Sequence, residues 1–188
     1  LLTPLHTLTF YNAIANDGKM MKPYFIENYQ ENGEVVKNFG PKEMSGSICS
    51  KQTAKEARRA LRHVVEVGTG KFMNNSKYQI AGKTGTTNDQ SDGWFIGYTP
   101  KLTAGVWVGA EDRQVHFASL ALGGGSNMAL PIWGIFMKKV LEDGTLGVTK
   151  YDQFVAPQGF SLNLDCTGSD DDIAAQGQKQ AEENYFGF

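Results

Sequence analysis

Cysteine and histidine are scarce in this chain of 188 residues, and no long apolar run crosses it. Its two cysteines, Cys49 and Cys166, are too few and too far apart for a zinc site or a redox Cys-x-x-Cys pair. Either they form one disulfide or both stay free. The three histidines, His6, His63 and His116, show no ligand spacing, so surface or capping roles are expected of them rather than a catalytic base. No segment reaches the length of a membrane span, and the chain opens on Leu1-Leu2 without a signal peptide. That start leads us to expect a processed product or a fragment, with any targeting signal upstream. Basic residues (18) do not outnumber acidic ones (20), and the net charge is −2 with a pI near 5.9. There is thus no basic footprint, and no nucleic-acid partner is expected. The apolar and charged fractions are those of a globular domain with a sizeable core.

What is present is a short motif of chemical interest: Ala81-Gly82-Lys83-Thr84-Gly85-Thr86-Thr87. It follows the apolar Tyr78-Gln79-Ile80 and precedes a polar turn, Asn88 to Asp92. This order predicts a strand, Tyr78 to Thr84, that carries a cation, hydroxyls and glycines to its end. Glycine lets another backbone or a ligand approach, lysine supplies a compact charge, and threonine supplies hydroxyl donors. A strand of this kind suits an extended, carboxylate-terminated peptide. A phosphate-binding P-loop is the rival reading, but it needs a glycine where Lys77 stands. A Gly-rich strand end with a solvated lysine is the plainer alternative.

Around the motif, Thr3-Pro4 caps a predicted helix with Leu5, Leu8, Tyr11, Ile14 and Ala15 at helical spacing, ending at Asp17-Gly18. Tyr24-Phe25-Ile26 and Val35-Val36 flank Asn32-Gly33, which predicts a hairpin. A second helix is expected from Ser50 to Val67, its stripe formed by Ala54, Ala57, Leu61, Val64 and Val65. Gly93 to Tyr98 and Thr103 to Val108 read as an antiparallel pair. The last helix starts near Pro131, with Ile132, Ile135, Phe136, Val140 and Leu141 as its apolar face. Beyond it, residues 159–188 read as an acidic, mobile tail, and Asp170-Asp171-Asp172 lacks the spaced oxygens of a calcium loop. Trp94, Trp107 and Trp133 are assigned to packing, with Trp94 nearest the motif strand. The fold class is α+β, an antiparallel sheet flanked by helices.

Several of these segments together resemble the class A penicillin-binding proteins. Lys83-Thr84-Gly85 is a signature of the serine penicillin-recognising enzymes. Thr3-Pro4-Leu5 with Tyr11-Asn12-Ala13-Ile14-Ala15-Asn16-Asp17-Gly18 resembles the family helix that precedes it. Val64-Val65-Glu66-Val67-Gly68-Thr69-Gly70, Asp92-Gly93-Trp94-Phe95-Ile96-Gly97-Tyr98 and Ala129-Leu130-Pro131-Ile132-Trp133 match in family order. The departure is equally clear. No serine has a lysine three positions on, and Ser161-Leu162-Asn163 lies after the motif strand, where the family's Ser-x-Asn lies before it.

The resemblance implies the C-terminal portion of a transpeptidase domain, residues 1–158, lacking the nucleophile, the all-α part and two strands of a five-stranded sheet. It implies acyl transfer through a serine ester, with peptidoglycan stem peptides as substrates and β-lactams as trapping ligands. Lys83 would support proton transfer, Thr84 and Thr86 would hold the substrate carboxylate, and the Thr86 N–H would serve the oxyanion. Gly85 would lie flush against the substrate, and Thr87 belongs to the same binding edge. No cofactor or metal is implied. The upstream half of the domain would be a partner, with self-association of the isolated chain in its absence. The implied parent carries a glycosyltransferase domain and a membrane anchor and works outside the cytoplasm. A binding module without chemistry, and a D,D-carboxypeptidase or β-lactamase, are the other readings.

Overall fold

The computed structural model describes residues 2–74 and 77–159. The expected tail apart from Gly159, and with it Ser161-Leu162-Asn163, Cys166 and Asp170 to Asp172, lies outside the described residues.

Helix α1 (Pro4–Ala15) begins where its capping residues predict. The Thr3 hydroxyl accepts the His6 N–H at 3.3 Å, and the Thr3 N–H donates to His6 Nδ1 at 3.2 Å. His6 therefore does the work of the acidic residue in a capping box. Asp17 and Gly18, at φ 54° and 86°, turn the chain out of the helix.

Four short strands follow: β1 (Lys19–Lys22), β2 (Asn28–Glu31), β3 (Glu34–Asn38) and β4 (Lys42–Ser47). β1 pairs with β4 and β2 with β3, both antiparallel. The β1–β4 pair has no strong apolar alternation and was absent from the sequence-based expectation. Asn32 and Gly33 form the predicted turn at φ 52° and 85°. The strand entering it is Asn28–Glu31, however, and not Tyr24 to Ile26. A two-residue turn sets Glu31 opposite Glu34, and β3 ends at Asn38 opposite Asn28, so the ladder ends before Tyr24 to Ile26. Those three side chains stay exposed.

Helix α2 (Lys51–Glu66) is capped by Ser50, whose Oγ accepts the Thr53 N–H at 3.0 Å. Its buried side holds Ala54 and Val65 as expected, and also Arg58. The Arg58 guanidinium donates to the Ile14 and Ala15 carbonyls at 2.8 and 3.3 Å and to Asp17 Oδ1 at 2.7 Å. A buried cation here meets the carbonyl-rich C-terminus of α1, which favours positive charge. This ties the two helices together.

The main sheet is β5 (Ala81–Thr86), β6 (Asp92–Tyr98) and β7 (Thr103–Gly109), in that spatial order and antiparallel throughout. The motif strand thus runs Ala81–Thr86, three residues later at its start than Tyr78 and two later at its end than Thr84. Its length is set by the partner, since Tyr98 opposite Ala81 closes β6. After a single turn, α3 (Leu120–Gly123), helix α4 (Ala129–Glu142) packs on the sheet. Its buried face is Ala129, Leu130, Trp133, Met137 and Val140; of the expected face only Val140 is buried, and Ile132, Ile135 and Phe136 are exposed. α4 is apolar on more than one side, so periodicity alone could not choose which side turns inward. Trp133 makes the choice: its ring meets Phe95 edge-to-face at 5.1 Å and its Nε1 donates to the Ala104 carbonyl at 3.0 Å. Val65, Ile80 and Phe95 complete this core with the buried face of α4.

Candidate functional site

The edge strand β5 carries the motif. Antiparallel ladders alternate hydrogen-bonded and non-bonded pairs. The Thr87 N–H donates to the Asp92 carbonyl at 3.1 Å, which makes that pair a bonded one. Counting back along the register, Thr86↔Gly93 and Thr84↔Phe95 are non-bonded pairs. The backbone N–H and C=O of Thr84 and Thr86 therefore point away from β6, to the edge that no described strand occupies.

Side chains alternate along the strand, so Thr84 and Thr86 share one face while Lys83 and Gly85 share the other. Lys83 is exposed, and its Nζ donates to the Thr84 carbonyl at 2.8 Å. Thr84 Oγ1 lies 2.9 Å from Thr69 Oγ1, and Thr86 Oγ1 accepts the Gly125 N–H at 3.0 Å. Neither neighbour is a base, so neither threonine is activated as a nucleophile. Thr87 Oγ1 donates to Asp92 Oδ2 at 3.0 Å and accepts the Asp92 N–H at 2.9 Å. Asp92 Oδ1 in turn accepts Trp107 Nε1 at 2.9 Å. This network fixes the end of β5, with Asp92 as the local partner of the turn.

On the Lys83 side a cavity of ≈ 190 Å³ is lined by Thr7, Tyr11, Lys83, Thr84, Gly85, Trp94 and Ile96. Trp94 does stand beside the motif strand. Burial pushes the Tyr11 phenol above its ordinary pKa, so Tyr11 stays neutral. A larger cavity, ≈ 690 Å³, lies between Met73, Ile80 and α4 and contains no residue of the motif. No group of His, Cys, Asp and Glu among the described residues has metal-binding geometry. No described helix is long and apolar enough to cross a membrane.

The structure thus brings Lys83, Thr84, Gly85, Thr86 and Thr87 onto one edge. It adds Thr69, to which sequence reasoning gave no role in the site, and Gly125 from the Gly123 to Gly125 run ahead of α4. Thr69 was visible only as part of a glycine-flanked motif.

Residues 1–120 match the family model described as the penicillin binding protein transpeptidase domain. The chain is 38% identical over 140 residues to penicillin-binding protein 1A of Aquifex aeolicus, covering 74% of this chain and 19% of that protein. It is 32% identical over 134 residues to penicillin-binding protein 1A/1B of Bacillus subtilis, covering 64% and 14%. The chain therefore spans about a fifth or less of the length of these curated relatives. Its fold is similar to that of penicillin-binding protein 1A from Haemophilus influenzae, with TM-score 0.70 and 23% identity over 84% of this chain and 28% of that one. The D,D-transpeptidase domain of a peptidoglycan glycosyltransferase from Eggerthella lenta gives TM-score 0.54 at 28% identity, covering 73% and 33%. Penicillin-binding protein A from M. tuberculosis, as its imipenem acyl-enzyme complex, gives 0.56 at 25%, covering 73% and 31%. By its motifs, its family match and its relatives, the chain belongs to the transpeptidase domains of the class A penicillin-binding proteins.

Proposed function

We propose that this chain supplies the substrate-binding edge of a peptidoglycan D,D-transpeptidase. The observation that carries the proposal is the open edge of β5, where Thr84 and Thr86 turn their backbone groups outward beside Lys83. An extended peptide adds to such an edge through main-chain hydrogen bonds. Lys83 supplies positive charge and supports proton transfer, the Thr84 and Thr86 hydroxyls hold the terminal carboxylate, and Gly85 leaves room for the substrate backbone. Thr87 closes the edge through Asp92. The outward N–H of Thr86 is one donor for the developing oxyanion.

The reaction is acyl transfer from a stem peptide ending in D-alanyl-D-alanine. A serine supplied by the upstream half of the domain attacks the amide carbonyl, and D-alanine leaves with the serine's proton on its amine. An amine of a second stem then displaces the serine ester and forms the cross-link. β-Lactams enter the same site, and the acyl-enzyme of the M. tuberculosis relative supports this. The upstream half is the chain's structural partner, and the isolated chain, without a nucleophile, is inactive. The parent is anchored in the membrane and works outside the cytoplasm, alongside a glycosyltransferase domain. Hydrolytic relatives share this edge and differ in using water as acceptor.

The test is the intact mass of the parent protein and of this chain alone after incubation with a penicillin. An adduct on the parent only is the expected result. No adduct on a folded parent would leave a binding module without chemistry, and products of hydrolysis alone would assign the protein to the carboxypeptidases or β-lactamases.

A further inference from the structure

Thr84 and Thr86 do not stand alone on their face of β5; each hydroxyl has one partner behind it. Thr86 Oγ1 accepts the Gly125 N–H. A threonine hydroxyl has a single proton and two lone pairs. Once an N–H fills one lone pair, the hydroxyl proton has no role in that contact and is free to donate elsewhere. No other partner of Thr86 Oγ1 exists among the described residues. Thr84 Oγ1 meets Thr69 Oγ1, and if Thr69 is the donor of that pair, the Thr84 proton is free in the same way. The two hydroxyls then present two protons on one face, a pattern that a carboxylate satisfies and an ester or amide satisfies poorly.

The loop that carries Gly125 is built against the strand. A Cβ at Gly125 would collide with the backbone oxygens of Gly85 and Trp94, and one at Gly93 would press on Gly125 and Met128. Only a residue without a side chain brings its N–H to Thr86 at this distance. Thr69 stands just beyond the C-terminus of α2, where the Gly70 N–H donates to the Val64 carbonyl at 3.0 Å and holds the turn.

We infer that Thr69 and Gly125 are positioning residues that turn the Thr84 and Thr86 hydroxyls into outward donors and so set selectivity for a free carboxylate. This rests on the reading of Thr84 and Thr86 as the carboxylate anchors.

The experiment compares acylation rates of the full-length parent by a penicillin and by the methyl ester of the same penicillin. Thr86→Val is measured first, and a loss confined to the free acid supports the underlying reading. Thr69→Val is expected to slow the free acid about tenfold, the size of a lost hydrogen bond to a charged group, and to leave the ester within about twofold; Gly125→Ala, whose Cβ also presses on Gly85 and Trp94, is expected to slow the free acid more than the ester. Thr69→Ser, which keeps the hydroxyl, restores the free-acid rate. Equal losses with acid and ester, or failure of Thr69→Ser to rescue, would overturn the inference while leaving the anchor reading intact. If Thr86→Val slows both ligands alike, the anchor reading falls and this inference with it. Should Gly125→Ala prevent folding, the isosteric Thr69 pair decides alone.

Discussion

The sheet β5–β6–β7 and the β2–β3 hairpin are both antiparallel, yet only one of them has a core. β6 buries Phe95 on one face, where α4 closes over it with Trp133 and Met137, and buries Ile96 and Tyr98 on the other. Every residue of β3 is exposed, and the apolar Val35 and Val36 are more than half accessible. Burial, rather than strand pairing, is what makes an element rigid enough to hold a site. The motif strand borrows its rigidity from the neighbour that is buried. The hairpin is local geometry, kept by an Asn-Gly turn.

Substitutions break this contrast in order of burial. Trp133→Ala is expected to cost about 3–5 kcal/mol, because it removes the largest fully buried side chain and leaves a cavity. Urea unfolding of the parent measures it, and a loss under about 1 kcal/mol would show that α4 is not the lid of the core. Arg58→Met should cost about 2–3 kcal/mol, since it orphans two α1 carbonyls and unpairs the half-exposed Asp17. The same unfolding experiment reads it.

The α2 surface adds a pH-dependent contribution. Burial raises the Glu66 pKa, but hydrogen bonds and charge from Arg59 and Arg62 outweigh that and hold it below the usual carboxylate range. A depressed folded pKa contributes stability at neutral pH that is lost as pH falls through the folded value. Glu66→Gln should accordingly flatten the acid side of the stability profile, and an unchanged profile would remove Glu66 from the account. The smallest effect belongs to the hairpin: Val36→Thr is expected to stay within about 0.5 kcal/mol in the same unfolding assay. A larger loss would mean that β3 is covered by something in the parent.

What the sequence made legible divides along the same line. Capping and turn chemistry are local, so Thr3-Pro4 and Ser50 placed the starts of their helices and Asn32-Gly33 placed its turn, although not the strand entering it. The alternation of Val106 and Val108 with Gly105 and Trp107 predicted β7 correctly, because one face of that strand is half-buried and the other exposed. Tertiary choices were not legible. α4 had two apolar sides and no local rule to rank them, and β1–β4 lacked any pattern above its polar background. Arg58 stood outside the predicted apolar stripe of α2, because its partners, the Ile14 and Ala15 carbonyls, are more than 40 residues away. At the site, the motif residues were recognisable as letters, whereas Thr69 and Gly125 gained meaning only when the chain brought them to Thr84 and Thr86. The phase of the β5 ladder, which turns Thr84 and Thr86 outward, is set by the register with β6 and continues in the hydrogen bond from Thr87 to Asp92, which no motif encodes.

The central claim is that substrate binds along the open edge of β5, led by Lys83, as it acylates the serine of the parent enzyme. Its most direct test is the acylation rate constant of the full-length protein with a penicillin, wild type against Lys83→Ala, at matched thermal stability. The account predicts a fall of about 100-fold or more, as for the loss of a group that stabilises developing charge. A Lys83→Ala protein that is acylated within about twofold of the wild-type rate would contradict it, for the exposed lysine would then be a solvated strand end.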